Sequence, residues 1–74
     1  MSSEERELLD RMFDSMPVDE EIELETIFGE NWNNITTHPR QFGKEVKNLV
    51  IDGHYPNIRH TNILSNNHNT YIKN

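Results

Sequence analysis

The chain has 74 residues, no cysteine and a formal net charge of −6. That length holds one domain near the lower limit at which a core is stable by packing alone, and the lack of cysteine excludes disulfides and thiolate zinc as staples. An apolar fraction of 32% is lean, yet three Phe, two Tyr and one Trp argue against a plainly disordered chain.

The charge is unevenly placed. Residues 1–30 carry eleven carboxylates against Arg6 and Arg11, a local balance of −9. Residues 31–74 carry Glu45 and Asp52 against Arg40, Lys44, Lys47, Arg59 and Lys73, a balance of +3, and hold all four histidines. An asymmetry of this kind suggests one face suited to an anionic partner and another that repels it or meets a basic protein.

Ser2 and Glu5 fit a capping box, and Leu8, Leu9, Met12, Phe13 and Met16 then form one stripe on a first helix that Pro17 ends. In so small a domain this stripe belongs to the core. The alternation in Glu20-Glu21-Ile22-Glu23-Leu24 predicts a short half-buried strand. From Leu24 a helical pattern runs through Ile27 and Phe28 to Gly29, which fits a C-cap or a kink, and Trp32 and Ile35 extend its apolar face. Thr36 or Thr37 is expected to cap a third helix with Pro39 in its first turn. Phe42, Val46, Leu49 and Val50 form its buried stripe, Gly53 closes it, and Gly43 is expected to pack closely against helix two. Residues 57–63 and 69–73 are strand-like around Ser65-Asn66-Asn67-His68, a turn-prone segment, and make a hairpin over 57–73 whose mixed parity calls for a bulge.

The order helix, strand, helix, helix, strand, strand predicts a single α+β domain over residues 1–74. A three-stranded sheet packed on three helices in this order is a winged helix-turn-helix, with helix three as recognition helix and the hairpin as wing.

Residues Ile22-Glu-Leu-Glu-Thr-Ile-Phe28, Trp32, Arg40-Gln-Phe-Gly43, Val46 and Asn67-His-Asn-Thr-Tyr71 resemble a small bacterial family of unknown function. That family occurs in phages and mobile elements of Gram-positive bacteria, the staphylococcal cassette elements among them. The likeness covers about residues 20–73 and leaves the acidic residues 1–19 outside it. It implies a winged helix and single-stranded-DNA binding. The chain departs from it in charge, since DNA-binding members are expected to be neutral to basic.

The sequence carries no catalytic motif: Gly29, Gly43 and Gly53 are too scattered to cradle a phosphate, and no nucleophile–base pair stands out. An enzyme is not expected, nor is a cofactor. His54, His60 and His68 could meet across the hairpin, but no histidine pair falls at i, i+4 and no metal site is expected. The nucleic-acid reading uses Arg40, Gln41, Lys44, Lys47 and Asn48 on helix three, with Arg59, His60, Asn66, Asn67 and Lys73 along the wing. Cations there would neutralise phosphates, amides would bond the backbone or base edges, and Tyr55 or Tyr71 could stack a base.

The competing reading is an acidic inhibitor that mimics DNA and engages a basic surface of a host protein through Asp19, Glu20, Glu21 and Glu23. A small dimeric transcriptional regulator is a third. A homodimer would add the buried surface that a lean core lacks. The stretch MSSEERELL has no basic region followed by an apolar run, and the longest apolar run, Leu49-Val50-Ile51, cannot span a membrane. The expected location is the cytoplasm, where the sequon Asn34-Ile35-Thr36 is coincidental.

Overall fold

The computed structural model describes residues 1–65 and 68–74. Helix α1 spans Ser3–Ser15 and opens on the expected capping box: Glu5 N–H donates to Ser2 Oγ at 3.1 Å, and Ser2 N–H donates to Glu5 Oε1 at 2.9 Å. Met16 leaves the helical region with ψ at 148°, the extended conformation favoured before Pro17. Asp19 then takes a φ of +63°, a left-handed turn that Asp tolerates better than most residues, and its N–H donates to the Lys73 carbonyl at 2.8 Å.

That turn delivers the chain to β1, only Ile22–Glu23, shorter than the alternation suggested because Leu24 already begins helix α2, Leu24–Phe28. Gly29, with φ +56°, ends α2 and opens a 3-10 segment, Gly29–Asn34. Helix α3 follows at Pro39–Ile51. Its cap is His38, whose Nδ1 accepts from Arg40 N–H at 3.2 Å, in place of the expected Thr36 or Thr37. Both threonines are drawn away because their backbone N–H groups donate to Glu5 Oε2, at 3.0 and 3.1 Å. Gly53, with φ +87°, turns the chain out of α3 as expected.

Strands β2, Ile58–Ile63, and β3, Asn69–Lys73, form the hairpin, closed by Leu64 N–H donating to the His68 carbonyl at 2.8 Å. Its register shifts between His60 and Asn62, which makes Thr61 the extra residue of the anticipated bulge. The sheet is antiparallel in the order β1-β3-β2, with Ile22 opposite Tyr71 and Ile58 opposite Lys73. The result is an α+β domain of three helices and a three-stranded antiparallel sheet.

One core draws on every helix and on the sheet. Leu9, Phe13, Phe28, Phe42, Val46 and Tyr71 are almost wholly buried. Residues 1–19 are therefore part of the domain, since α1 contributes Leu8, Leu9 and Phe13, and Met16 follows, to the core shared with residues 20–74. Phe28, Trp32 and Phe42 form an edge-to-face triangle with centroids 5.5 to 5.8 Å apart. Such pairs add about 0.5–1.5 kcal/mol each beyond area burial, which matters where the apolar residues are so few. Among the described residues, no helix is long and apolar enough to cross a membrane.

Candidate nucleic-acid interface

Helix α3 has two unlike faces. Phe42, Gly43, Val46 and Val50 are buried against the core. At about 100° per residue, Arg40, Gln41, Lys44, Lys47 and Asn48 fall within an arc of about 120° on the opposite side. Arg40, Gln41, Lys44 and Asn48 are exposed and Lys47 is half-buried. The arc contains no carboxylate: Glu45 lies at its border and pairs with the Met1 ammonium at 2.7 Å. Among the described residues, none of Arg40, Lys44 and Lys47 has an ion-pair partner. Three uncompensated cations flanked by two amides thus share one face in a protein of net charge −6.

The hairpin residues do not extend this face as one surface. Side chains alternate along a strand, and the register pairs Arg59 with Ile72 but His60 with Tyr71. Arg59 is exposed on the sheet face opposite the one that Tyr71 turns to the core. Lys73 has the parity of Tyr71, and its Nζ donates to the Asp14 carbonyl at 2.7 Å, at the C-terminal end of α1 where a cation suits the helix dipole. It is a tether between β3 and α1. His60 is half-buried, with its ring 5.4 Å from that of Tyr71 and Nε2 2.9 Å from Asn69 Oδ1. Asn66 and Asn67 lie outside the described residues.

Neither tyrosine offers a free ring. Tyr71 is fully buried in the core, and its burial pushes the hydroxyl pKa up. Tyr55 packs edge-on against Phe13 at 4.9 Å, accepts from Arg6 Nε at 2.7 Å and donates to Asp10 Oδ1 at 2.5 Å. Burial, reinforced by the bond to Asp10, raises its pKa to about 12. The aromatic side chain left partly accessible beside α3 is Trp32. With Leu24, Pro39, Arg40, Gly43 and Asn69 it lines a half-open cavity of about 180 Å³ between α2, the N-terminal half of α3 and the start of β3. Gly43 belongs to this cavity: a Cβ there would meet Asn69 Nδ2 at 3.5 Å, so its close neighbour is β3 and not helix two. The periodicity of α3 could not reveal that neighbour, which is 26 residues away.

The acidic residues also separate. Asp19, Glu20 and Glu21 are exposed, whereas Glu23 is half-buried and hydrogen-bonded to His68 Nδ1, with Glu25 Oε2 3.8 Å from the same nitrogen. Glu23, Glu25 and His68 each bring one ligand atom within 4.8 Å of the others, the grouping among the described residues that could hold a metal ion. His68 thus meets two carboxylates, one of β1 and one of α2.

The most deeply bound carboxylate is Glu5, 5% exposed. Burial alone would raise its pKa, but hydrogen bonds from the Ser2 backbone, the Thr37 hydroxyl and the Thr37 and Thr36 N–H groups outweigh it and hold the value at about 2. Counting charges along the sequence assigns Glu5 to an acidic surface; the structure removes it from that surface. No family model, curated protein or solved structure matches this chain.

Proposed function

We propose that this chain is a non-enzymatic single-stranded-DNA-binding protein on a winged-helix scaffold, an accessory protein of a phage or mobile element. The observation that carries the reading is the outward arc of α3, where Arg40, Lys44 and Lys47 have no ion-pair partner among the described residues and no carboxylate intervenes. Cations left uncompensated in an acidic protein are suited to phosphates, and Gln41 and Asn48 supply donors for the sugar–phosphate backbone. Three cations suit a short single strand better than a duplex, which calls for a larger basic excess. Element order and the β1-β3-β2 sheet support the winged-helix reading, with α3 as the binding helix. The family resemblance of residues 20–73 points the same way. Arg59 adds a cation on the outer sheet face rather than on the α3 arc, and Lys73 serves structure.

The test is fluorescence anisotropy with labelled single- and double-stranded oligonucleotides at two salt concentrations. The reading expects single strands to bind at about 50 mM salt and to release steeply as salt rises. Absence of binding to either form at low salt would refute it.

A second reading rests on a different observation. Val18 is 56% exposed and stands directly before exposed Asp19, Glu20 and Glu21, beside edge strand β1. An apolar residue rimmed by acids fits a basic protein surface, as in an inhibitor that mimics DNA. Reversing Glu20 and Glu21 to Lys separates the two readings, because it would abolish inhibitor binding and leave the α3 face intact.

A further inference from the structure

We infer that the cavity between Trp32, Gly43 and Asn69 is a pocket for a single nucleobase, which would accept a hydrogen bond from the Asn69 amide and donate one to Glu25. This rests on the single-stranded-DNA reading and adds to it where a base goes once the backbone lies on α3.

Size sets the first limit. About 180 Å³ is below the roughly 300–1,000 Å³ of pockets that enclose drug-sized ligands, and suits one planar ring system. Leu24 and Pro39 supply apolar wall, and the indole of Trp32 supplies an aromatic surface on which any base can stack. The polar groups give direction. Asn69 Oδ1 is engaged by His60 Nε2 at 2.9 Å, whereas Asn69 Nδ2 has no partner among the described residues. That leaves a donor for a ring nitrogen or carbonyl. Glu25 also lines the cavity, and its carboxylate can accept from an amino group. A donor and a carboxylate acceptor match any adjacent acceptor–donor pair on a base edge, such as N3 and the amino group of cytosine or O4 and N3–H of thymine.

The same carboxylate argues against a phosphate in the cavity. Glu23 and Glu25 gather around His68 at one wall, so negative charge is repelled there and a neutral base is not. Arg40 stands on both surfaces: it belongs to the outward arc of α3 and lines the cavity. A phosphate held by Arg40 therefore places its own base at the mouth of the pocket.

Gly43 provides the variant that separates pocket from fold. A Cβ at this position would meet Asn69 Nδ2 at 3.5 Å, ordinary contact, so Gly43→Ala is accommodated and favours the helix while filling space in front of the amide. Trp32 is the single tryptophan, so its emission reports on this cavity alone. The experiment titrates the full chain with deoxycytidine and thymidine monophosphates and with dC and dT oligomers. It follows Trp32 fluorescence, the Asn69 side-chain amide by NMR, and oligomer anisotropy. Expected are quenching of Trp32 and a shifted Asn69 amide with the cytosine and thymine ligands alike, since both base edges offer an acceptor beside a donor. Gly43→Ala should raise the melting temperature and abolish the quench. Oligomer binding with Trp32 and Asn69 unmoved would overturn the pocket and leave the α3 reading standing. Quenching by the monophosphate without oligomer binding would keep the pocket and overturn the α3 reading. Silence in both refutes both.

Discussion

Glu5 and Thr37, 32 residues apart, are joined twice: the Glu5 carboxylate accepts from the Thr37 hydroxyl at 2.7 Å and from its backbone N–H at 3.1 Å. One side chain thereby closes the capping box of α1 and fixes the segment that leads into α3. The position of the proposed binding helix depends on this carboxylate. Glu5→Ala would leave the Thr36 and Thr37 N–H groups without their acceptor, a loss on the order of 2 kcal/mol. In a chain this size that corresponds to a fall in Tm of roughly 10 °C, readable by circular dichroism. A change under 2 °C would contradict the role.

The same group sets an acid limit. With the folded pKa held at about 2 against an ordinary 4.5, the ionised Glu5 stabilises the fold fully above pH 4.5, and the benefit is lost as pH falls towards 2. The stability difference between the native chain and Glu5→Gln should therefore be largest at neutral pH and shrink below pH 4.5. Urea titrations at pH 7, 4 and 3 measure it; a gap that widens on acidification would be the wrong sign.

Tyr71 offers a change in the other direction. Its hydroxyl is buried without a hydrogen-bond partner among the described residues, while its ring packs on Phe13 at 5.7 Å. Tyr71→Phe keeps the ring and removes the unsatisfied group, so Tm should hold or rise, by about 1 kcal/mol of stability at most. Thermal melts decide this, and a clear loss would mean that the hydroxyl is bonded in solution.

His68 clasps the hairpin to the rest of the domain through Glu23, 45 residues earlier. Partly exposed pairs contribute about 0.2–1 kcal/mol, so His68→Ala should speed amide exchange at Asn69 and Thr70 by up to about fivefold and leave α1 unchanged. Hydrogen exchange followed by NMR reads both; uniform acceleration across the chain would point to global destabilisation instead.

These relationships mark what the sequence can reveal. The stripes of α1 and α3 are legible because Leu8, Leu9 and Phe13, and Phe42, Val46 and Val50, repeat at helical spacing and are all buried. The basic face of α3 follows from the same period. Thr36 and Thr37 mislead because a competing acceptor, Glu5, reaches them from over thirty residues away. The hairpin misleads for a different reason: strand parity sends Arg59 and Lys73 to opposite faces, and only the observed register tells which is which. Trp32 was legible as apolar packing; that it also walls a cavity depends on Gly43 meeting Asn69 across the chain.

The claim that α3 binds a single strand is tested most directly by the salt dependence of that binding. Three cations on the arc, at about 0.7 counterions released per phosphate contact on a single strand, give a slope of log K against log salt near −2. Lys44→Glu, an exposed change opposite the core, should weaken binding, flatten the slope and leave Tm unaltered. A native slope near zero, or Lys44→Glu binding as tightly as the native chain, would contradict the account.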